Sequence, residues 1–252
     1  MYLETGIRLW RWGNAVSCFG VLQFLVLCTL AMRWYPGGTL LERNTVGYSF
    51  FENYLSDLGR TVSWSGEPNA VACGLFNTAA VVLGLSLIPF FLFLPSHAPD
   101  RSHVLWVAAL FGIGSAFALV GIGLTPYDIR LEAHQEALFF WVASLLAAVV
   151  LHSWALLTSE EASSLFALLS LGLAVVILIY ILRGTGLLVA LLFRSASGFV
   201  GPFITMQKYV VLSAVLWYFV FGVRMVCTTE LRPAERNVKL RRAAERYLKR
   251  LQ

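Results

Sequence analysis

Residues 103–128 read HVLWVAALFGIGSAFALVGIGLTPYD, and this stretch decides the class of fold. It contains no charged side chain from Val104 to Leu124, and a helix needs about 20 apolar residues to cross the hydrocarbon core of a bilayer. The polar sequence TPYD follows this apolar run directly. The pattern therefore predicts a membrane-spanning helix that ends in a polar loop.

The rest of the chain has the same character. Of its 252 residues, 58% are hydrophobic and only 13% are charged, whereas average proteins carry about 25% charged residues. Because a chain in lipid must satisfy its backbone polar groups internally, long apolar runs are expected to be helices. We predict an all-α, six-transmembrane-helix bundle within residues 1–227. The predicted spans are 14–32, 69–94, 103–124, 134–157, 163–182 and 207–227.

The sequence predicts no metal and no cofactor. All four cysteines lie inside apolar runs, at spacings that match neither a disulfide framework nor a zinc finger. His134 opens the fourth run, and His152 follows eighteen residues later, about 27 Å away at the helical rise of about 1.5 Å per residue. These two histidines are expected at opposite membrane faces, which excludes a shared three-histidine zinc site.

The excess of basic residues lies in the tail, residues 228–252. The tail contains eight Lys or Arg and three Glu, which accounts for the whole formal charge of +5. Basic segments stay cytoplasmic, so both termini are predicted on the cytoplasmic side of a plasma or inner membrane, and the loops after spans one, three and five on the other side. The tail is predicted to be an amphipathic helix that lies on an anionic leaflet or binds a partner protein. A solvated helix that only fixes topology is the alternative, and nucleic-acid binding is not expected.

Two polar clusters fall in the loops predicted to face outward. The first is GYSFFENYLSDLGR, residues 47–60, and the second is TPYDIRLEAH, residues 125–134. Because both loops belong to the same membrane face, side chains far apart in sequence are expected to meet there. We call these two segments the motif loops.

Within the first motif loop, three polar residues have helical spacing. If this segment is helical, Asn53 lies one turn before both Ser56 and Asp57, and the three share a face. The alternative is a turn or a helix cap, which Ser, Asp and Gly favour. A carboxylate near a membrane interface needs a partner or water. The candidate partners of Asp57 are Arg60, Arg130, Arg194 and His134.

His134 is the one histidine predicted on the outward side. Histidine titrates near neutral pH, so His134 can act as a base for Ser56, with Asp57 or Asp128 as the orienting carboxylate. That arrangement follows the logic of a serine hydrolase. The alternative is a histidine that only hydrogen-bonds a loop carbonyl or water at the interface.

The second span carries a short polar stripe near its outward end. Asn69, Cys73 and Asn77 follow each other at intervals of four residues and therefore lie on one helix face. Small polar side chains often form hydrogen bonds between membrane helices, which is one explanation. The other is that the stripe extends an outward polar pocket toward the membrane interior.

Several of these segments together resemble a known family. They are YPGG at 35–38, GYSF at 47–50, NYLSDLG at 53–59, Asn69, FN at 76–77, and GLTPYD at 123–128 followed by His134. They resemble the DUF 998 family of polytopic membrane proteins, and are similar to the wider FRAG/DRAM/SFK group. The resemblance implies a six-helix fold, motif loops on the non-cytoplasmic side and a role in lipid handling. It favours as site residues Asn53, Ser56, Asp57, Asp128 and His134.

The leading hypothesis is a membrane protein that binds a lipid or lipid-linked molecule in an outward polar pocket, with membrane lipids as its partners. Arg60 or Arg130 is expected to pair with a phosphate, as guanidinium groups do, and Asn69 and Asn77 extend the pocket. The first alternative is an intramembrane acyl transferase or hydrolase that uses Ser56 and His134. The second is a scaffold without catalytic activity.

Overall fold

The structure is a computed structural model that describes residues 2–184 and 200–227, with side chains in 10–184 and 204–227. The described residues form an all-α fold, as predicted. Each of its six long helices contains a stretch long and apolar enough to cross a membrane, so the chain is a multi-pass membrane protein. The helices are α1 (Tyr2–Trp34), α2 (Ala70–Leu92), α3 (Ser102–Leu124), α4 (Leu131–Thr158), α5 (Ser164–Gly184) and α6 (Val200–Cys227).

Most helix ends agree with the predicted spans to within a few residues. The exceptions are the first ends of α1, at Tyr2 instead of residue 14, and of α6, at Val200 instead of residue 207. At α1 the residues left out of the predicted span, 2–13, include Glu4, Arg8 and Arg11, so they do not belong to the apolar run. At α6 the residues left out, 200–206, are mostly apolar but include Gly201 and Pro202, which argue against a helix in a reading from sequence. Helix α5 ends at Gly184. The segment after it and the basic tail lie outside the described residues.

The six helices pack in the order of the chain. Each contacts the next, and α6 closes the arrangement against α1. Small residues allow close approach between α2 and α3: a Cβ at Gly112 would lie 2.0 Å from the ring of Phe91. Aromatic rings from α2 and α6 fill the centre, where edge-to-face contacts hold them together. These rings are Phe90, Phe91, Trp217, Tyr218 and Phe221.

The bundle has two different ends. One end, which we call the motif end, carries the connections at 35–69 and 125–130 and the beginning of α6. The other, the opposite end, carries the α2–α3 connection, with short 3₁₀ helices at Leu94–His97 and Pro99–Arg101, and the α4–α5 connection. Both motif loops therefore lie at the same end, as the number of spans between them predicts.

Candidate functional site

The connection between α1 and α2 folds into a compact cap over the motif end. Gly38 adopts a φ of 79°, which favours glycine, and its amide donates to the carbonyl of Thr45. The segment predicted as a possible helix is instead a 3₁₀ helix, Leu55–Gly59, that begins after Asn53. The shared helical face of Asn53, Ser56 and Asp57 is therefore replaced by a tight turn, in which all three side chains are buried.

Asp57 organises this turn. Its Oδ2 accepts hydrogen bonds from Asn53 Nδ2 at 3.1 Å and from the Tyr54 amide at 2.9 Å. Asn53 Nδ2 also donates to the Gly38 carbonyl at 2.9 Å, so the amide joins two parts of the cap. Burial raises the pKa of Asp57, although the hydrogen bonds from Asn53 and Tyr54 act against it. No described basic side chain lies within ion-pair distance of Asp57, so its direct partners are an amide side chain and the backbone.

Two residues of α6 that sequence reasoning did not assign to the site hold the turn from the other side. Gln207 Oε1 accepts a hydrogen bond from the Leu55 amide at 2.8 Å. The Lys208 ammonium, only 1% exposed, donates to the Asn53 carbonyl. Lys208 is the charged residue at the start of the last apolar run. Because a charge inside a membrane span is a functional candidate by default, this position in the sequence would have been enough to identify Lys208 as a candidate.

The polar stripe of α2 binds the backbone of the same turn. Asn69 Nδ2 donates to the Leu58 and Arg60 carbonyls at 3.1 and 2.9 Å, and Asn77 Nδ2 donates to the Gly59 carbonyl at 3.2 Å. Gly59 lies so close to α2 that a Cβ would come within 2.6 Å of Asn77 Oδ1. The stripe thus fastens the cap to the bundle.

Asp128 joins the two motif loops. Its carboxylate accepts hydrogen bonds from the Thr61 amide, the Thr61 hydroxyl and the Val62 amide at 2.6–3.0 Å. Burial tends to raise the pKa of Asp128, but the hydrogen bonds from Thr61 and Val62 outweigh it and lower the pKa. The two clusters therefore meet in space, and Asp128 is the residue that connects them.

Arginine side chains stack on an aromatic residue at the surface of the cap. The guanidinium carbons of Arg43 and Arg60 lie 4.1 and 3.7 Å from the centre of the Trp64 ring. Two planar groups at such distances do not fit on one face, so they lie on opposite faces of the indole. Arg60 also approaches the Tyr127 ring, at 5.8 Å. Arg130 is exposed at the beginning of α4.

A cavity lies beneath the turn, inside the ring of helices. Its volume is about 40 Å³, counted as the space open to the centre of a water molecule. Apolar side chains form most of its wall, and Ser56, His134 and Gln207 lie on it as well. A second cavity, about 200 Å³ by the same measure, lies between α5 and α6 and is lined almost entirely by apolar side chains. The first cavity is therefore the one that combines apolar walls with residues of the candidate site.

His134 presents one ring nitrogen without a partner. Its Nδ1 lies 2.7 Å from the Thr125 carbonyl oxygen, and its Nε2 is buried with no hydrogen-bond partner among the described residues. Ser56 Oγ forms no hydrogen bond within the described residues, and none joins Ser56 to His134. Asp57 and Asp128 bind other groups, so the structure does not assemble them with His134 as a catalytic triad.

The opposite end contains a second polar cluster that sequence reasoning missed. His97 Nδ1 lies 2.9 Å from His152 Nε2, and His152 Nδ1 lies 2.9 Å from Ser170 Oγ. Trp217 Nε1 donates to the same oxygen at 2.9 Å. The prediction that His152 lies far from His134 is confirmed, but its pairing with His97 was not foreseen. His97 and His152 lie 55 residues apart in the sequence, and this separation gives no local signal of their pairing.

Comparisons with known proteins do not identify a family for this chain. No protein-family model matches it, and neither does any curated protein or solved structure. The resemblance to the DUF 998 family therefore remains a prediction. Fold and site together define the class as a six-helix multi-pass membrane protein with a buried cavity under a polar cap.

Proposed function

We propose that this protein binds a lipid or lipid-linked molecule at the motif end, with an apolar part of the ligand in the cavity beneath the cap. The observation that carries the proposal is the composition of the cavity wall, where a few polar groups, among them Ser56, Gln207 and the unpartnered His134 Nε2, lie among mainly apolar side chains. Ligand sites are typically apolar clefts with a few convergent polar groups that fix orientation. An amphipathic molecule fits that combination.

The arginine stack supports a second contact, with the phosphate of a lipid at the surface of the cap. Guanidinium groups form bidentate hydrogen bonds with phosphate. The Trp64 ring holds the guanidinium groups of Arg43 and Arg60 in defined planes. Neither arginine has a carboxylate within ion-pair distance among the described residues. Arg60→Gln should therefore reduce the share of anionic lipids that co-purify, whereas Arg11→Gln on α1 should not.

The lipid proposal is tested by identifying what the purified protein retains. Ala80 lines the cavity and is 1% exposed, so Ala80→Leu places extra atoms in it. We expect the wild-type protein to retain a defined lipid that Ala80→Leu loses, measured by mass spectrometry of extracts from protein in mild detergent. Leu110→Phe is the control, because Leu110 is 70% exposed on α3. Equal lipid content in all three proteins, with unchanged thermal midpoints, would contradict the proposal.

An acyl transferase or hydrolase is the second candidate, because Ser56 and His134 line the same cavity. In this reaction Ser56 Oγ attacks an ester carbonyl while His134 Nε2 takes the proton, and the Thr125 carbonyl orients the ring. The ester C–O bond then breaks, the alcohol leaves with the proton from His134, and water or a second alcohol takes the acyl group from Ser56. A fluorophosphonate probe should then label Ser56, and His134→Gln should abolish labelling. Lipid binding without labelling favours the binding function.

We also propose the orientation of the bundle: both termini face the cytoplasm of a plasma or inner membrane, and the motif end faces outward. The basic tail supports this orientation through the positive-inside tendency, and is proposed to contact the anionic leaflet or a protein partner. A membrane-impermeant maleimide applied to intact cells should label Glu67→Cys at the motif end. It should label Glu161→Cys, at the opposite end, only after lysis, and the reverse pattern would invert the orientation.

A further inference from the structure

The protonation of His134 follows from its hydrogen bond. A carbonyl oxygen only accepts, so the contact of 2.7 Å between Nδ1 and the Thr125 oxygen places the proton on Nδ1. A second proton on Nε2 would create a cation with a buried N–H that has no acceptor among the described residues, in a side chain that is 3% exposed. His134 is therefore neutral, and Nε2 offers a lone pair.

The wall around this lone pair carries no ionic charge. Of the sixteen residues that line the cavity, none is Asp, Glu, Lys or Arg. The same wall holds the Trp141 N–H and the Tyr218 hydroxyl, which also lack a partner among the described residues. Both can donate a hydrogen bond, so His134 Nε2 is the pure acceptor of the wall, and only a ligand group that donates can satisfy it.

These features select the chemistry of the ligand. A phosphate or carboxylate in the cavity would bury a charge without a counterion and would face the lone pair of Nε2 with another lone pair. A hydroxyl group has the reverse properties: it donates its hydrogen to Nε2, and its oxygen accepts from the Ser56 hydroxyl on the same wall.

On the basis of the proposed lipid-binding function, we infer that the cavity binds an uncharged lipid alcohol, with the ligand hydroxyl donating to His134 Nε2. His134 is then the residue that determines specificity for a hydroxyl over an ether or an ester. The arginine stack contacts phosphates outside the cavity, so the two sites recognise different chemical groups. The cavity has room for a few water-sized groups, so it receives the hydroxyl and the carbons next to it, and the rest of the apolar chain or ring lies outside the cavity.

The test uses three photoreactive lipids with the same alkyl chain and a terminal hydroxyl, methyl ether or phosphate. Each is incorporated into vesicles with the purified full-length protein, and crosslinks are mapped by peptide mass spectrometry. Crosslinks to lipid-facing residues such as Leu110 measure the background. We expect the alcohol to label the cavity residues of α4 and α6 about tenfold more than the ether does, since a lost hydrogen bond to a buried acceptor is worth about that factor.

Two variants connect the selectivity to His134. His134→Leu should remove the preference for the alcohol, whereas His103→Leu makes the same chemical change at an exposed position of α3 and should preserve it. Ser56→Ala should reduce the preference to an intermediate value. The comparison of alcohol and ether in the wild-type protein needs no variant, so it decides the question even if His134→Leu does not fold.

The outcomes separate the two proposals. Equal labelling of the cavity by alcohol and ether, or stronger labelling by the phosphate, would overturn the alcohol inference and leave lipid binding in place. Failure of all three lipids to label the cavity above background would overturn the lipid-binding function itself. Selectivity for the alcohol that persists in His134→Leu would assign the specificity to another residue.

Discussion

The two histidines of α4 differ in their hydrogen bonds. At the opposite end, His152 has both ring nitrogens in hydrogen bonds, to His97 and Ser170. At the motif end, His134 uses one nitrogen and turns the other toward a cavity wall without a partner. Buried polar groups are normally satisfied, so the two bonds of His152 indicate a role in stability, and the unpartnered nitrogen of His134 beside a cavity makes it a candidate for ligand binding. The buried Nε2 of His97 also lacks a partner among the described residues, so the contrast is between the two histidines of α4 and not between whole ends of the bundle.

The largest effect on stability is expected from His152→Ala. The change leaves His97 Nδ1 without its partner and removes a buried ring, whereas Ser170 Oγ keeps its hydrogen bonds with Trp217 and Phe166. An unsatisfied buried group costs about 1–3 kcal/mol, and the cavity left by the ring adds to that cost. We expect a loss of more than about 2 kcal/mol, visible as a lower thermal midpoint in detergent. His134→Ala breaks one hydrogen bond and should cost clearly less. Equal losses at the two positions would remove the distinction between the two histidines.

Lys208→Met should have the next largest effect, and it tests whether α6 holds the cap in place. Methionine replaces most of the buried stem but leaves the Asn53 carbonyl without its donor, which we expect to cost about 1–3 kcal/mol. The loop at 47–60 should become more sensitive to limited proteolysis. Tyr209→Phe, at an exposed neighbouring position, is the control. Unchanged proteolysis in Lys208→Met would show that the cap does not depend on α6.

Asp128→Asn tests the connection between the motif loops and should cost about 1–2 kcal/mol of local stability, because it weakens the hydrogen bonds to Thr61 and Val62. The pKa of Asp128 is lowered in the folded protein. Its contribution is therefore present above the unfolded pKa, about 3.9, and is lost as the pH falls through the folded value. Hydrogen exchange at Thr61 and Val62 should accelerate in that acidic range in the wild type, and in Asp128→Asn at neutral pH as well. Exchange independent of both changes would contradict this role.

Asp57 should respond to pH in the opposite direction. Its pKa is raised in the folded protein, chiefly by burial, so the folded state binds the proton more tightly and its stability falls as the pH rises from about 4 through the folded value. Asp57→Asn removes the titrating carboxyl group, and with it this decrease in stability at higher pH. The asparagine keeps an oxygen acceptor for Asn53 and Tyr54. We expect its thermal midpoint to depend less on pH over that range than the wild type's. A steeper dependence would show that the carboxylate stabilises the turn in its charged form.

The smallest effect is expected from Ser56→Ala. Ser56 Oγ forms no hydrogen bond within the described residues, so its removal should change the thermal midpoint by less than the equivalent of about 0.5 kcal/mol. Its effect should appear in ligand binding or turnover instead. A large loss of stability without ligand would show that Ser56 supports the cap structurally.

The class of protein and the six spanning helices of the described residues could be predicted from the sequence alone. Apolar runs of spanning length are local features, and lipid permits few backbone structures, so hydropathy was sufficient to place α2 to α5 within a few residues. Counting spans also placed Asp128 at the same end as the first motif loop. Asn53, Asp57 and Asp128 were recognised as important, although their role in the structure is to hold the cap together.

The tertiary structure alone decided which side chains meet and which remain free. The 3₁₀ turn at Leu55–Gly59, the contact of Lys208 with the Asn53 carbonyl and the pairing of His97 with His152 depend on the rotation and depth of neighbouring helices. No local pattern encodes those quantities, because each helix gains its register from packing against the others. The free nitrogen of His134 is the clearest case: the sequence supplied a histidine, and the Thr125 carbonyl decided which nitrogen faces the cavity.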